Sequence, residues 1–477
     1  MVPNVMEIEN GPNNDSNKVN RICLYFSTFT VNLLLVSICI AFVWTSPTLV
    51  YLLSPESHIP ITKFEGSWIA SFITLGGVFG APVTGVLLDS IGRKWTLHLC
   101  TLLLISCWIW TVFAVSVVEL YLVRFITGLT AGISYSASPL YVAEISEDSL
   151  RGALNTIPLF SRSLGYLITY SLGSYLNYQN LAIISVILPT ISFFLFFFVP
   201  ESPYYLIDKN CNQEAKKVLN NLRRGTNGEI IDKEISIIQN SISISKQQKL
   251  SYKDLFSTVG NIRAFYICTA YLAFQQFSGV TTILLYAESI FLMVDTPIPS
   301  SLSATLVGGT MMVSACIGPI LAKKMGFIKP MIISSIGLAI FLAFLGLYFI
   351  LRDFEYDVSS IHWLPITSLL LYCISYSLGM GSIPWAIMGE IFAPNIKSVA
   401  AGIMTSFNFL AAFITAITFP ILTNVLGWGT TFWLYSALCV LVVPFTIYFL
   451  PDTHGKSLDE IQVIMNKPRK GVDASNG

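Results

Sequence analysis

Charged side chains are scarce in this sequence. Asp, Glu, Lys and Arg make up 11% of its 477 residues, hydrophobic residues make up 54%, and the mean hydropathy is +0.68. A soluble protein of this length would carry far more charge, so the composition predicts an all-α integral membrane protein. The 27 Lys and Arg residues only balance the 27 Asp and Glu residues. Without a basic excess, a nucleic-acid partner is excluded.

Groups that could build a catalytic, metal or cofactor site are also missing. Eight of the nine cysteines lie inside apolar runs and the ninth, Cys211, lies in a charged segment, which predicts neither disulfides nor a metal site. The four histidines, His58, His98, His362 and His454, fall at unrelated positions. No Gly-x-x-x-x-Gly-Lys-Ser/Thr loop occurs, so the chain is not expected to hydrolyse ATP. We therefore expect no cofactor and no enzymatic activity.

Long apolar runs are the feature that the sequence has in abundance. Residues 1–20 are polar and carry no signal-peptide pattern, so the first apolar run must itself insert into the membrane. A helix needs roughly 20 apolar residues to cross the bilayer core. The sequence predicts twelve such spans, at about 24–53, 67–88, 96–117, 121–143, 153–176, 181–199, 263–292, 303–322, 330–351, 364–389, 398–424 and 429–450.

The distribution of Lys and Arg predicts the orientation, because these residues are retained in the cytosol near membrane ends. With the N-terminus inside, only Lys63, Arg124 and Arg352 fall outside or at the outer boundary, and Arg162 falls within a span. Both termini are therefore expected in the cytosol. The predicted organisation is a tail at 1–22, six spans at 23–200, a cytoplasmic linker with short helices at 201–262, six spans at 263–450 and a tail at 451–477.

The two sets of six spans repeat each other. Glu144 is followed seven residues later by Arg151, and 246 residues further on Glu390 is followed seven residues later by Lys397. Each set closes on a proline, an acid and a Ser or Thr. Two parallel six-span halves with a cavity at mid-membrane are the architecture of alternating-access transporters.

Eight motifs occur in order along nearly the whole chain: Gly85 to Lys94, Arg124-Phe125-x-x-Gly128, Pro139-x-Tyr141-x-x-Glu144, Arg151-Gly152, Pro200 to Pro203, Gln275-Gln276-x-Ser278-Gly279, Gly381-x-x-Pro384-Trp385 and Pro451 to Leu458. In these motifs the sequence resembles a sugar porter of the major facilitator superfamily. Several further stretches, such as Trp44 to Pro47, are similar to the insect facilitated trehalose transporter branch. The resemblance implies a twelve-helix major facilitator fold, a monomer in the plasma membrane and a small-molecule substrate, a sugar, moved by alternating access.

The resemblance also implies a set of substrate contacts. It assigns Gln275, Gln276, Trp385 and Asn408 to the sugar, with Thr281 at the position of a family asparagine. Amides and an aromatic face suit a ligand with many hydroxyls and apolar C–H faces. From the residues alone, the glutamines could instead join helices and Trp385 could be a packing aromatic. Departures such as Leu159 and Phe409, where relatives carry Gln and Trp, leave the identity of the sugar open.

A second set of residues is expected to control the inner opening. Carboxylates at a helix C-terminus are unfavourable unless a cation or a helix N-terminus lies beside them. The candidates are Asp89, Arg93, Glu144, Arg151, Glu390 and Lys397. Pairs among them are predicted to form when the inner mouth shuts and to break when it opens; the alternative is a topology signal in solvated loops.

Arg162 is unusual because it is a charged residue inside a predicted span. It lies about nine residues, hence roughly 13 Å, inside the fifth span, where an unpaired arginine is unfavourable. The repeat offset relates Arg162 to Asn408, which predicts a place in the central cavity. Packing against carbonyls or an acid is the alternative.

The energy source is inferred from an absence. Proton-driven sugar porters carry an acid in the first span, whereas here no Asp or Glu occurs between Asp15 and Glu56. The sequence therefore predicts a sugar uniporter. An organic-anion or polyol porter that uses Arg162, or a sugar sensor that does not transport, remain alternatives.

Overall fold

The computed structural model describes residues 20–224, 226–247, 255–294, 296–392, 396–453, 456 and 458–466. Helices dominate the described residues, and their extended backbone pairs only in an isolated antiparallel bridge between Asn20 and Arg224. The predicted tail up to residue 19, His454 and the end of the chain after residue 466 lie outside the described residues.

Helices form wherever the apolar runs predicted a span. Before the linker they are α1 (Ile22–Val43), α2 (Thr45–Leu52), α3 (Lys63–Ser90), α4 (Arg93–Phe113), α5 (Val117–Ile145), α6 (Asp148–Leu154), α7 (Ile157–Gly173), α8 (Tyr178–Ser185) and α9 (Ile187–Phe196). We call α1 to α9 the first half. The linker contains α10 (Pro203–Asp208), α11 (Asn212–Leu222) and α12 (Gly228–Gln247).

The second half begins at Val259, slightly before the predicted boundary. Its helices are α13 (Val259–Phe277), α14 (Val280–Leu292), α15 (Ser300–Ser314), α16 (Ile317–Met325), α17 (Ile328–Asp353), α18 (Leu364–Leu378), α19 (Ile383–Ile391), α20 (Lys397–Leu426) and α21 (Trp428–Phe449). The described chain ends with α22 (Leu458–Asn466).

Ten helical segments in the described part of the chain are long and apolar enough to cross a membrane. The two other predicted spans are helical but shorter or interrupted. The span at 153–176 contains α7, which has 17 residues. The span at 263–292 is divided into α13 and α14 at Gly279, whose φ of 86° ends one helix and begins the next. Only glycine adopts this conformation readily.

A buried cation lies at the break between α1 and α2. Arg124 is 3% exposed and donates hydrogen bonds to the carbonyls of Ala41, Phe42 (3.2 Å) and Ile69 (3.2 Å) and to Thr45 Oγ1 (2.7 Å). The last carbonyls of a helix have no partner within it, and the helix dipole attracts a cation there. The structure places the Arg124 side chain inside the bundle, where these acceptors compensate its burial.

Both ends of the described chain lie beside the linker. The Asn20 N–H donates to the Arg224 carbonyl at 2.7 Å, and the Gly260 N–H donates to Asn466 Oδ1 at 2.9 Å. The end of the bundle that carries the linker and these contacts is called the linker face below, and the opposite end is called the far face.

Candidate functional site

Four polar side chains of the second half form one hydrogen-bonded group, which we call the amide cluster: Gln275, Gln276, Thr281 and Asn408. Gln276 Nε2 donates to Asn408 Oδ1 at 3.1 Å, and Asn408 Nδ2 donates to Gln275 Oε1 at 3.1 Å. Thr281 Oγ1 donates to Gln276 Oε1 at 2.6 Å. All four residues are at most 8% exposed. The structure therefore brings together four of the predicted substrate residues.

The cluster owes its position to the break in the seventh predicted span. Gln275 and Gln276 close α13, Thr281 opens α14 beyond Gly279, and Asn408 approaches from α20. A Cβ at Gly279 would lie 2.8 Å from the Tyr435 ring, so the break also needs a residue without a side chain. Because the amides hold one another, their polar groups are oriented before any ligand arrives.

Trp385 follows, five residues later in the sequence, a backbone carbonyl that holds the amide cluster. Gln275 Nε2 also donates to the Met380 carbonyl at 2.6 Å, in the non-helical stretch between α18 and α19. Trp385 follows as the third residue of α19 and is half-buried against the hydrophobic core. Its indole N–H makes no hydrogen bond to any described residue, so one edge of an aromatic ring stays available beside the amides.

Arg162 lies at the interface between the halves. Its guanidinium carbon is 5.7 Å from the centre of the Tyr135 ring, and Tyr135 stacks on Phe409 with ring centres 5.9 Å apart. Phe409 adjoins Asn408 of the amide cluster. The structure thus connects Arg162 to the cluster through two aromatic rings, with no direct hydrogen bond between them.

Two of the six predicted gating residues, Arg93 and Glu144, form a two-point ion pair, with Nε to Oε2 and Nη2 to Oε1 both at 2.9 Å. Asp89 is exposed and forms no ion pair in the described residues, and neither do Glu390 and Lys397. Arg151 donates from Nε to the Ala143 carbonyl at 3.1 Å.

Two neighbours of the Arg93–Glu144 pair were noticed in the sequence only as part of a motif. Ser202 Oγ donates to Glu144, and Glu201 accepts from the N–H groups of Arg93 (2.9 Å) and Lys94 (3.1 Å) at the first turn of α4. A carboxylate is favoured at a helix N-terminus. Burial raises the pKa of Glu201, while the backbone N–H groups that contact it oppose this shift. The repeated proline-acid-Ser/Thr pattern was the signal for this contact.

A further ion-pair group on the linker face had no signal in the sequence. Arg21 contacts Glu147 through Nε (3.1 Å) and Nη2 (2.8 Å), which raises the pKa of Arg21. Arg223 donates to the Ile145 carbonyl (2.8 Å) and to Glu234 (3.0 Å). These contacts fasten the start of α1 and the linker to the end of α5.

We expect Arg93→Ala to lower the free energy of unfolding by about 1–3 kcal/mol, because Glu144 then loses its charged donor while remaining largely buried. The side chains of the pair are only 15% and 9% exposed. Thermal unfolding of the detergent-solubilised protein measures the effect.

The matched control is Lys216→Ala, which removes the Lys216–Asp232 pair, whose side chains are 47% and 56% exposed. An exposed pair contributes about 0–1 kcal/mol. Equal melting temperatures for the two variants would contradict a bracing role for Arg93.

Contacts between the halves are concentrated between the level of Arg162 and the far face. Tyr170 Oη donates to the Leu284 carbonyl at 2.6 Å, and the Glu288 N–H donates to Ser46 Oγ at 3.0 Å. In the same region a Cβ at Gly308 would lie 2.9 Å from the Leu167 Cα. The halves therefore meet closely on this side.

The linker-face ends of several helices are not packed in this way. A Cβ added at Gly152 in α6, or at Gly402 in the first turns of α20, would meet no atom within 4 Å. The Arg93–Glu144 pair lies wholly within the first half, on α4 and α5, so it does not itself join the halves.

Among the residues that the structure describes, no three His, Cys, Asp or Glu side chains form a group that could hold a metal ion. The site offers amides, hydroxyls, aromatic rings and one guanidinium. These are groups for binding a polar organic molecule.

Known proteins share both the sequence and the fold. The family described as "Sugar (and other) transporter" matches residues 21–465. The facilitated trehalose transporter Tret1 of Bombyx mori is 32% identical over 432 residues, which are 90% of this chain and 84% of that protein. A Tret1-2 homolog of Drosophila simulans is 31% identical over 438 residues, 90% of this chain and 88% of that protein.

Solved structures of a xylose transporter from E. coli, XylE, share the fold. Its inward open conformation has a TM-score of 0.78 at 20% identity and covers 92% of this chain and 99% of the other. A partially occluded inward open conformation has a TM-score of 0.76 at 19% identity, with 91% and 99% covered.

Proposed function

Because the chain belongs to the sugar transporter family, we propose that it is a facilitative transporter of a hexose or of trehalose. The observation that carries the proposal is the amide cluster, whose Asn408 adjoins Phe409, the ring that stacks on Tyr135 of the first half. The silkworm and fruit-fly relatives are named as facilitated trehalose transporters, which supports a sugar over the organic-anion, polyol and sensor alternatives.

The substrate would bind between the halves. The amide cluster offers donors and acceptors to the hydroxyls, Trp385 offers an apolar face, and Arg162 offers charged donors from the first half. Donors from both halves let one ligand hold the halves together, which is the requirement for passing from one open state to the other. Rocking of the halves around this level would then expose the site to either side.

We assign the linker face to the cytosol, in line with the distribution of Lys and Arg. The plasma membrane and a monomeric protein complete the proposal, as the sequence predicted.

Proton coupling is not part of the proposed mechanism. The first span offers Arg124 a neutral partner, the Thr45 hydroxyl at 2.7 Å, and no acid. Without an acid in the first span, we do not expect a proton gradient to drive the flux. Net flux of a neutral sugar should therefore follow the sugar gradient alone.

Uptake of labelled glucose, trehalose, a polyol and an organic anion into proteoliposomes tests the proposal. We expect sugar uptake that stops at equal concentrations on both sides and remains there when an inward proton gradient is imposed. Empty liposomes measure leakage. Accumulation of sugar above equilibrium under the proton gradient would rule out uniport, and absence of any sugar uptake would rule out the function.

A further inference from the structure

Arg162 is half-buried in α7, where it is the sixth of 17 residues, and its guanidinium has no acid beside it among the described residues. No Asp or Glu of the described chain lies within 4 Å of its nitrogens, and its recorded neighbour is the Tyr135 ring at 5.7 Å. Glu144 is already paired with Arg93. Glu288 is seven residues beyond Thr281 in α14, hence about 10 Å further towards the far face.

The groups around Arg162 do not supply the missing negative charge. Tyr135, Tyr166 and Tyr376 lie close enough to interact electrostatically with the guanidinium, but phenols are neutral at physiological pH. The Tyr135 hydroxyl is already engaged with Cys39 Sγ at 3.1 Å. Tyr376 comes from the second half, so Arg162 faces across the interface and towards the path of the substrate.

A cation inside a membrane protein is retained where a ligand, a protein acid or water interacts with it. Arg162 has no acid beside it among the described residues, and the stacked rings of Tyr135 and Phe409 lie between it and the amide cluster. A ligand bound between the halves, as proposed above, would meet the amides on one side and the guanidinium on the other. The planar guanidinium binds a carboxylate through two parallel hydrogen bonds, which a hydroxyl cannot reproduce.

We propose that the preferred substrates are sugars that carry a carboxylate, with the acid held by Arg162 and the hydroxyls held by the amide cluster. This inference rests on the proposed function, since it names the class of sugar. Uniport of such a substrate moves one negative charge per molecule. Transport therefore responds to the membrane potential, whereas transport of a neutral sugar does not.

Glucuronate and glucose are the matched pair of probes, because they differ only in a carboxylate in place of the terminal hydroxymethyl group. With the full chain in proteoliposomes, we expect glucuronate to compete for labelled sugar uptake at least tenfold better than glucose. An inside-positive potential of about 59 mV should accumulate glucuronate about tenfold, since this is the equivalent of tenfold for one charge, and should not accumulate glucose.

Substitution of Arg162 assigns the preference to this residue. In Arg162→Gln the ratio of glucuronate to glucose competition should fall at least tenfold, and in Arg162→Lys it should fall less. Arg352→Gln is the control, because Arg352 pairs with Asp353 near the far face and should keep the ratio. A thermal-shift comparison of glucuronate with glucose on the unsubstituted protein does not require any variant to fold. The ligand that binds more tightly should raise the melting temperature more.

Two results would overturn the inference and leave sugar transport standing: glucose uptake with no advantage for glucuronate, or an unchanged preference in Arg162→Gln. Failure of glucose, trehalose and glucuronate alike to enter would refute the proposed function together with this inference.

Discussion

Replacing Asn408 by leucine is expected to lower sugar transport about 100-fold at subsaturating concentration. Asn408 accepts from Gln276 and donates to Gln275 at 3.1 Å each. Under the proposed function, leucine removes the amide that contacts the sugar and releases Gln275 and Gln276 from the orientation in which they would bind it, and each hydrogen bond lost to the substrate costs about 1–3 kcal/mol. About 3 kcal/mol of lost binding corresponds to roughly 100-fold.

Initial rates of labelled sugar uptake, corrected for the amount of folded transporter, measure this effect. The control is Asn32→Leu. Asn32 is another buried asparagine, 5% exposed, which donates to the Thr28 carbonyl and accepts from Ser161 within the first half. It should lose stability but keep its apparent affinity. If both variants lose affinity equally, the amide cluster has no special role in substrate binding.

Arg124→Leu is expected to have the largest effect on folding, a loss of about 3–5 kcal/mol, because several buried acceptors lose their donor at about 1–3 kcal/mol each. The substitution removes every donor that reaches Ala41, Phe42, Ile69 and Thr45. The end of α1 is then left with unpaired carbonyls inside the bundle. Yield of monodisperse protein and melting temperature are the measurements.

Two milder variants keep this prediction testable if Arg124→Leu does not fold. Arg124→Lys keeps the charge but not the fork of donors, and should be intermediate. Thr45→Val removes only one acceptor and should cost about 1 kcal/mol. A melting temperature of Arg124→Leu equal to that of the unsubstituted protein would show that the break between α1 and α2 does not need the cation.

The sequence predicted the amide cluster and Arg162 from different signals. Gln275, Gln276 and Asn408 were assigned to the substrate through family resemblance, but nothing in the sequence indicated that their amides bond to one another. That depends on the break at Gly279, which directs the end of α13 and the start of α14 to the same point on α20. Arg162 was predicted at the cavity level by the repeat offset, and its neighbours Tyr135 and Phe409 followed only from the fold.

The sequence by itself determined the order and approximate positions of the helical segments, because apolar runs of about 20 residues are stable as helices across a membrane. It also contained the motifs to which Arg93, Glu144 and Glu201 belong. Each of these patterns is carried by neighbouring residues along the chain.

Only the tertiary structure decided which side chains meet. The partners of Arg124 lie 55 to 83 residues away, and those of Glu147 include Arg21 at a separation of 126 residues. Such contacts are set by the rotation and depth of each helix against its neighbours. Hydrophobic periodicity does not specify this rotation and depth in a membrane protein, because most faces of a membrane-spanning helix are apolar.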